Sequence, residues 1–262
     1  MGPAKGALMF VPSAVAASMC YWQVQRMHWK EGVVQEAREA MRAPPDDVFS
    51  LDELPRFRRC SAAGAYDHSR AVFVGPRPIS FELDRYELQD GGMRAMLSVP
   101  GAVKSGYLLI TPLKHEGSNR TVLVNRGWVP PDWRRRWGDG VAAQQPAGRV
   151  VATGVGQGSE EPSGFVPRNE PEKGNFYWLD VPGIAEACGL HPATPMLQVL
   201  REGREKGEAP TTPGGPFPLP KQGDAVVKFS TMPADHANYA AMWGAMAAAM
   251  GAMAVRLVRR GK

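Results

Sequence analysis

Two long stretches of this sequence carry no charged side chain, and they lie near its opposite ends. The first runs from Gly6 to Gln25 and the second from Ala237 to Val255, with only cysteine and tyrosine as ionisable groups. An α-helix rises about 1.5 Å per residue, so roughly 20 residues cross a hydrocarbon core of about 30 Å. Both stretches reach that length. Each therefore predicts a helix that spans a membrane or is buried in a soluble fold.

Aromatic, cationic and small side chains in these stretches favour membrane spans. Tyr21 with Trp22, and Tyr239 with Trp243, lie near the ends, where interfacial aromatic residues are common. Cations follow the second stretch at once, namely Arg256, Arg259, Arg260 and Lys262. Small residues form a stripe typical of helices that associate in lipid, at Ala240, Gly244, Ala248 and Gly251. We therefore predict a membrane protein with two transmembrane α-helices, 7–25 and 236–256.

The distribution of charge also predicts an orientation. The basic tail, 257–262, places the C-terminus on the cytoplasmic or matrix side, and two spans put the N-terminus on the same side. Residues 26–235 then form a translocated domain in the intermembrane space or periplasm. The net charge of +5 is concentrated in this tail and in "RFRR" (56–59) and "RRRW" (134–137). No nucleic-acid-binding pattern accompanies these clusters, so nucleic acid is not a predicted partner.

The translocated segment consists mainly of predicted short β-strands. The run 56–80 has a turn signal at Gly75–Pro76 and predicts a hairpin, and "GYLLITPL" with "RTVLVNRGWV" predicts a second, antiparallel hairpin. Further strands are predicted at 148–156, at the start of 175–190, at 195–203 and at 225–231. Helical segments are predicted at 31–43 and near Ile184, and a Pro/Gly loop at 208–224. This pattern predicts one mainly antiparallel β domain with short helices, barrel-like or sandwich-like.

No combination of residues in the sequence indicates an enzyme. The glycines of "GVGQGS" lack the Gly-Lys-Ser/Thr ending of a phosphate loop, and no G-x-S-x-G nucleophile turn is present. The three cysteines are scattered, without C-x-x-C spacing or a Cys/His cluster, at Cys20, Cys60 and Cys188. Structural zinc and a thiolate copper site are therefore unsupported.

The segment "NRGW", Asn125 to Trp128, ends a predicted strand and has two interpretations. In the first it is a structural corner, because an asparagine can close a turn on its own backbone and Gly127 permits an unusual φ. In the second, Arg126 binds an anion such as a carboxylate or a propionate. The sequence favours the structural corner.

Five motifs, in order along nearly the whole chain, resemble the Surfeit locus (Shy-type) family of cytochrome c oxidase assembly proteins. They are "WQVQRMHWK", "GAYDHSRAVFVGPR", "GYLLITPL" with "LVNRGWVP", "FVPRNEPEKGNFYWLD" and "ADHANYAAMW". The chain departs from the family pattern at Cys20, Phe176 and Asp235. The motif positions that we carry over are Trp22, Gln23, Arg26, Gly75, Pro76, Arg77, Asn125, Arg126, Gly127 and Trp128.

The resemblance implies a non-enzymatic role in building haem–copper oxidase, by assisting haem a insertion or maturation of the catalytic subunit. The membrane would be the mitochondrial inner membrane or a bacterial plasma membrane. The implied partners are the catalytic subunit of the oxidase, its neighbouring subunits and membrane lipid. The alternative is a structural accessory subunit retained in the mature oxidase or a respiratory supercomplex. In that case the small-residue stripe of the second span would supply lasting helix contacts.

The resemblance also implies haem a as a cofactor and His236 as the candidate ligand of its iron. A neutral imidazole binds haem iron well. Tyr239 and Trp243 follow His236 on the same helical face. The alternative is an interfacial histidine paired with Asp235 or with lipid headgroups. A neighbouring stripe offers thioethers as a second axial ligand, or as packing against lipid or a partner helix, at Met242, Met246, Met250 and Met253.

Overall fold

The computed structural model of the protein describes residues 3–51, 54–55, 57–79, 105–203, 217–221, 223–227, 229 and 231–260. The chain forms two compact units. One combines Met1–Glu39 with Val227–Lys262, and the other is Ala40–Val226. Most of the loop predicted at 208–224 lies outside the described residues, as do Arg56 and Lys262.

The first unit is helical. Its helices are α1 (Pro3–Leu8), the long α2 (Val11–Arg42) and the C-terminal α6 (Pro233–Arg260). Pro12 lies in the first turn of α2, where its missing N–H is not needed. Asp235 accepts a 2.8 Å hydrogen bond from the backbone N–H of Met232 and so satisfies an amide at the start of α6. The helix predicted at 31–43 is confirmed and is continuous with the first apolar stretch.

Both long helices are apolar on their outer surfaces. The most apolar windows of Gly6–Arg42 and Pro233–Arg260 have mean hydropathies of 1.3 and 1.5, and only 11% and 6% of their residues are buried. The core helix of a soluble domain would be mostly buried. Both helices are therefore candidate membrane spans, as predicted.

Small residues of α6 lie against α2. The hydroxyl of Ser13 donates a 2.8 Å hydrogen bond to the carbonyl of Ala247. A Cβ added to Gly251 would lie 3.1 Å from Ser13 Oγ, and one added to Gly244 would lie 3.4 Å from the Sγ of Cys20. The glycines predicted to mediate helix association thus do so within the chain's own helix pair.

The second unit contains a seven-stranded β-sheet. Its strands are β1 (Asp46–Asp47), β2 (Arg59–Tyr66), β3 (Val72–Pro78), β4 (Ser105–His115), β5 (Thr121–Val129), β6 (Arg149–Gln157) and β7 (Met196–Gly203). Their order is β1-β2-β6-β7-β5-β4-β3, and β2 also pairs with β4. Strands β2, β6, β7, β5 and β4 therefore close into a barrel, and only β5–β7 is parallel among its pairings. The mainly antiparallel domain is confirmed and is barrel-like.

Short helices connect the strands. They are α3 (Pro131–Arg136), a π-helical turn (Trp137–Val141), α4 (Val181–Ala187) and α5 (Gly223–Val226). Three-residue 3-10 turns occur at Val48–Ser50, His68–Arg70, Ala142–Gln144 and Pro171–Lys173. Asp180 caps α4 by accepting a 3.3 Å hydrogen bond from the N–H of Gly183. The short helix predicted near Ile184 is confirmed.

One of the two predicted hairpins is confirmed and the other is wrong. Strands β4 and β5 pair antiparallel through nearly their whole length, from Tyr107 with Val129 to Lys114 with Thr121. Strands β2 and β3 exist, but they do not pair with each other as the prediction for 56–80 requires. Both pair with the long strand β4, at opposite halves of the same strand, so each finds a neighbour other than its predicted partner.

Three smaller predictions also fail. Gly75 and Pro76 lie inside β3, where its pairing with β4 is irregular, rather than in a turn. The start of 175–190 makes only isolated bridges and no strand. Phe176 there packs in a buried cluster with Ile110 of β4 and Leu123 of β5. Helix α5 includes Ala225 and Val226, so the strand predicted at 225–231 does not begin there.

Candidate functional site

His236 lies in the first turns of α6 and contacts α2. Its Nδ1 is 2.7 Å from Oε1 of Gln23, and each residue is only 8% exposed. The contact joins the first and the last of the five motifs. The alternative pairing of His236 with Asp235 is not observed among the described residues. The carboxylate of Asp235 accepts instead from the backbone N–H of Met232.

The other predicted residues of this helical face are less enclosed. Tyr239 is 50% exposed and Trp243 is half-buried. Met242 and Met253 are exposed, so this part of the methionine stripe faces outward. The structure therefore brings His236 and Gln23 together, whereas Tyr239 faces the surroundings of the helix pair.

Cations and aromatic rings lie beyond Gln23 on α2. The guanidinium carbon of Arg26 is 3.8 Å from the ring centroid of Trp29, and the Nζ of Lys30 is 3.9 Å from the ring centroid of Phe229. Trp22 is 52% exposed. Stacked cations and exposed aromatics of this kind suit a membrane–water interface.

Residues Asn125 to Gly127, in the second half of β5, form the side-chain-closed turn that the sequence favoured. Oδ1 of Asn125 accepts a 3.2 Å hydrogen bond from the N–H of Gly127, so the asparagine closes a turn on its own backbone. Gly127 has φ of 119°, and a Cβ there would collide with the carbonyl of Leu219. The amide of Asn125 also donates to Gln157 and Gln198, at 2.9 Å each.

Arg126 is engaged by side chains of the barrel. Its Nε and Nη2 donate to the two carboxylate oxygens of Glu202 at 2.7 and 3.0 Å, and its Nη1 donates to Gln145 at 3.0 Å. Tyr66 donates to Glu202 at 2.8 Å, and its ring lies under the guanidinium. Because Arg126 is 1% exposed and all these donors are occupied, the geometry favours a structural role over anion binding.

Burial and charge shift the pKa values in this network. Burial, the largest single effect, lowers the pKa of Arg126, but the charge of Glu202, its hydrogen bonds and Tyr66 together raise the pKa above its ordinary value. Burial, together with Glu202, raises the pKa of Tyr66 well above its usual range. Burial lowers the pKa of His68 nearby. At neutral pH the network therefore holds a charged arginine and a neutral phenol.

The Gly-Pro-Arg motif contacts two other motifs. The carbonyl of Arg77 accepts a 3.1 Å hydrogen bond from the indole N–H of Trp128, and its guanidinium pairs with Glu160. The N–H of Gly75 donates to the carbonyl of Phe176 at 2.8 Å. The motif positions in the barrel thus join strands and loops that are distant in sequence.

Within the described part of the chain, no three His, Cys, Asp or Glu side chains converge to hold a bare metal ion. Burial raises the pKa of Cys188 to about 11 and also raises that of Cys60, so both remain thiols at neutral pH. A group that brings its own ligands to the iron, as a porphyrin does, needs only an axial donor from the protein, and the imidazole of His236 is a donor of that kind. Its donor chemistry fits such a group.

The hydrogen-bond partners of the Asn125–Arg126 corner were not predicted from the sequence. Gln145, Gln157, Gln198 and Glu202 were not selected. A signal was present at Gln198, a polar residue between Leu197 and Val199 in the otherwise apolar first half of β7. A buried amide in that position needs hydrogen-bond partners and therefore predicts a polar network.

Comparison with known proteins confirms the resemblance found in the motifs. A model described as the SURF1 family matches residues 10–248, which include the barrel and most of both candidate spans. The chain is 26% identical over 297 residues to Surfeit locus protein 1 of Arabidopsis thaliana, covering 96% of this chain and 77% of the relative. It is 30% identical over 266 residues to a SURF1-like protein of Monosiga brevicollis, covering 97% and 87%. Over 251 residues it is 27% identical to Surfeit locus protein 1 of Homo sapiens, covering 92% and 73%.

Proposed function

The chain belongs to the SURF1 family, and from this premise we propose that it assists the assembly of cytochrome c oxidase by holding haem a for insertion into the catalytic subunit. The observation that carries the proposal is the family match over residues 10–248. The role is binding and transfer to a partner, not catalysis of a reaction.

His236 is the residue that holds the iron in this proposal. A bound haem supplies an iron with an open axial position, and a neutral imidazole can fill it. The histidine lies at the start of the second candidate span, which suits an amphiphilic ring with an apolar tail. Its contact with Gln23 restrains the ring, and restrained ligands bind with less loss of entropy.

The proposed topology follows from the charges at the ends of the spans. Segments 7–25 and 236–256 cross the membrane, and the basic tail 257–262 stays on the matrix or cytoplasmic side with the N-terminus. The barrel, within 26–235, then faces the intermembrane space or the periplasm. The membrane is the mitochondrial inner membrane or a bacterial plasma membrane.

The accessory-subunit alternative loses the feature that favoured it. It relied on the small-residue stripe to contact neighbouring subunits, but Gly244 and Gly251 of that stripe lie against α2 of the same chain. We therefore do not extend the proposal to a subunit retained in the mature oxidase. Recovery of one copy of this chain per mature oxidase would reverse this choice.

Deletion of the gene and complementation test the proposal. We expect deletion to reduce the amount of assembled oxidase and the haem a content of its catalytic subunit, and the unaltered chain to restore both. His236→Ala should fail to restore them. His28→Ala is the matched control, because His28 is an exposed histidine on α2 that pairs only with Glu31 among the described residues. Normal oxidase levels in the deletion strain would contradict the proposal.

A further inference from the structure

We propose that Gln23 is a positioning residue that fixes the proton of His236 on Nδ1 and so presents the lone pair of Nε2 to an iron centre. The identity of that centre as haem rests on the proposed function. The position of the proton rests on the contact between the two side chains.

The contact determines which nitrogen carries the proton. In the structure Oε1 of Gln23 faces Nδ1 of His236 at 2.7 Å. An amide oxygen only accepts hydrogen bonds, so in this arrangement Nδ1 is the donor. A neutral imidazole has one N–H, and its Nε2 therefore keeps a lone pair. Neutral histidine in water favours the opposite tautomer. Gln23 thus selects the form in which Nε2 can bind a metal.

The second ring nitrogen of His236, Nε2, makes no hydrogen bond within the described part of the helix pair or to any other described residue. The fully buried side-chain atoms without a partner in that part of the chain are His68 Nδ1, Arg77 Nε and Thr111 Oγ1. Because Nε2 is not one of them, it retains some accessible area, although His236 as a whole is only 8% exposed. A histidine that donates through one nitrogen to a carbonyl and offers the other has the usual arrangement of a metal ligand.

Helix packing alone does not require this hydrogen bond. The two long helices are also joined by the hydrogen bond from Ser13 to Ala247 and by the close approach of Gly244 and Gly251. Loss of the Gln23 side chain therefore leaves the other contacts of the helix pair in place. This separation allows positioning to be tested apart from folding.

The first arm of the experiment needs no haem. The full chain, in detergent and with ¹⁵N-labelled histidine rings, is compared with Gln23→Leu, Gln23→Glu and the matched control Ser13→Ala. The His236 signals are assigned by their loss in His236→Ala. We expect Nδ1–H in the unaltered protein, in Gln23→Glu and in Ser13→Ala, and a shift toward Nε2–H in Gln23→Leu. The proposal is overturned if the unaltered protein carries Nε2–H or if Gln23→Leu leaves the tautomer unchanged.

The second arm adds haem a and measures its affinity and the iron–histidine stretching band of the ferrous form. Loss of an outer partner of a metal ligand weakens binding by roughly tenfold to a hundredfold, which we expect for Gln23→Leu. Gln23→Glu should retain haem and raise the stretching frequency, because a carboxylate draws the Nδ1 proton more strongly. Unchanged affinity and frequency in both variants would overturn a positioning role. If the tautomer responds as expected but the unaltered protein binds no haem, the proposed function fails while the role of Gln23 in fixing the proton stands.

Discussion

Glu202→Gln should destabilise the β unit by about 3 kcal/mol, because it leaves the Arg126 guanidinium without a counter-charge inside the barrel. The side chain of Arg126 is 0% exposed and that of Glu202 is 12% exposed, so water cannot replace the lost carboxylate. Removing one partner of a buried pair typically costs about 3–5 kcal/mol. The lower end applies here because a glutamine oxygen can still accept from Arg126 or Tyr66. Denaturant unfolding of the full chain in detergent, followed by tryptophan fluorescence, measures the effect.

A double-mutant cycle tests the origin of this cost. Replacing both Arg126 and Glu202 by leucine removes both charges, so the double variant should lose less stability than the sum of the single variants, by roughly 2 kcal/mol. Asp132→Asn is the control, since the exposed Asp132–Arg136 pair should contribute less than about 1 kcal/mol. Additive effects in the cycle, or a loss in Glu202→Gln no larger than in the control, would refute the reasoning.

Three further predictions concern the same unit. Gly127→Ala should lower the unfolding midpoint strongly, because φ is 119° and the new methyl group meets the Leu219 carbonyl, whereas Gly138→Ala, in open space, should not. Burial lowers the pKa of His68, so the stability contributed by its neutral ring is complete above pH about 6.5 and is lost as the pH falls. Lowering the pH from 7 to 5 should therefore reduce the Tm less in His68→Gln than in the unaltered protein. Burial raises the pKa of Cys188 to about 11, so at pH 8 only about one thiol in a thousand is ionised. Alkylation of Cys188 should therefore require unfolding, which mass spectrometry of native and denatured samples would show.

Local patterns were sufficient to predict the two long helices, the short helix α4 and most of the strands. The uncharged stretches predicted α2 and α6 because length and hydropathy are properties of contiguous residues. The β4–β5 hairpin was predictable because its strands are joined by a short polar turn. The pairing of β2 was not predictable from local sequence. Its neighbours β4 and β6 depend on how the whole barrel closes, and the next strand along the chain is not one of them.

In the candidate site, too, contacts between near neighbours in the sequence were predictable and contacts between distant residues were not. The motifs selected His236 and Gln23 separately, but nothing local indicates that residues 213 positions apart share a hydrogen bond. The turn made by Asn125 and Gly127 was predictable because it is closed within three residues. The pairing of Arg126 with Glu202 was missed because it depends on the register of β5 and β7 across the barrel.

The visible absorption spectrum of the detergent-purified full chain, produced in a host that makes haem a, tests the central claim most directly. The unaltered protein and His28→Ala should carry close to one equivalent of haem, and His236→Ala should carry little. Absence of haem from the unaltered protein, or equal haem in His236→Ala, would contradict a role for His236 in holding the cofactor.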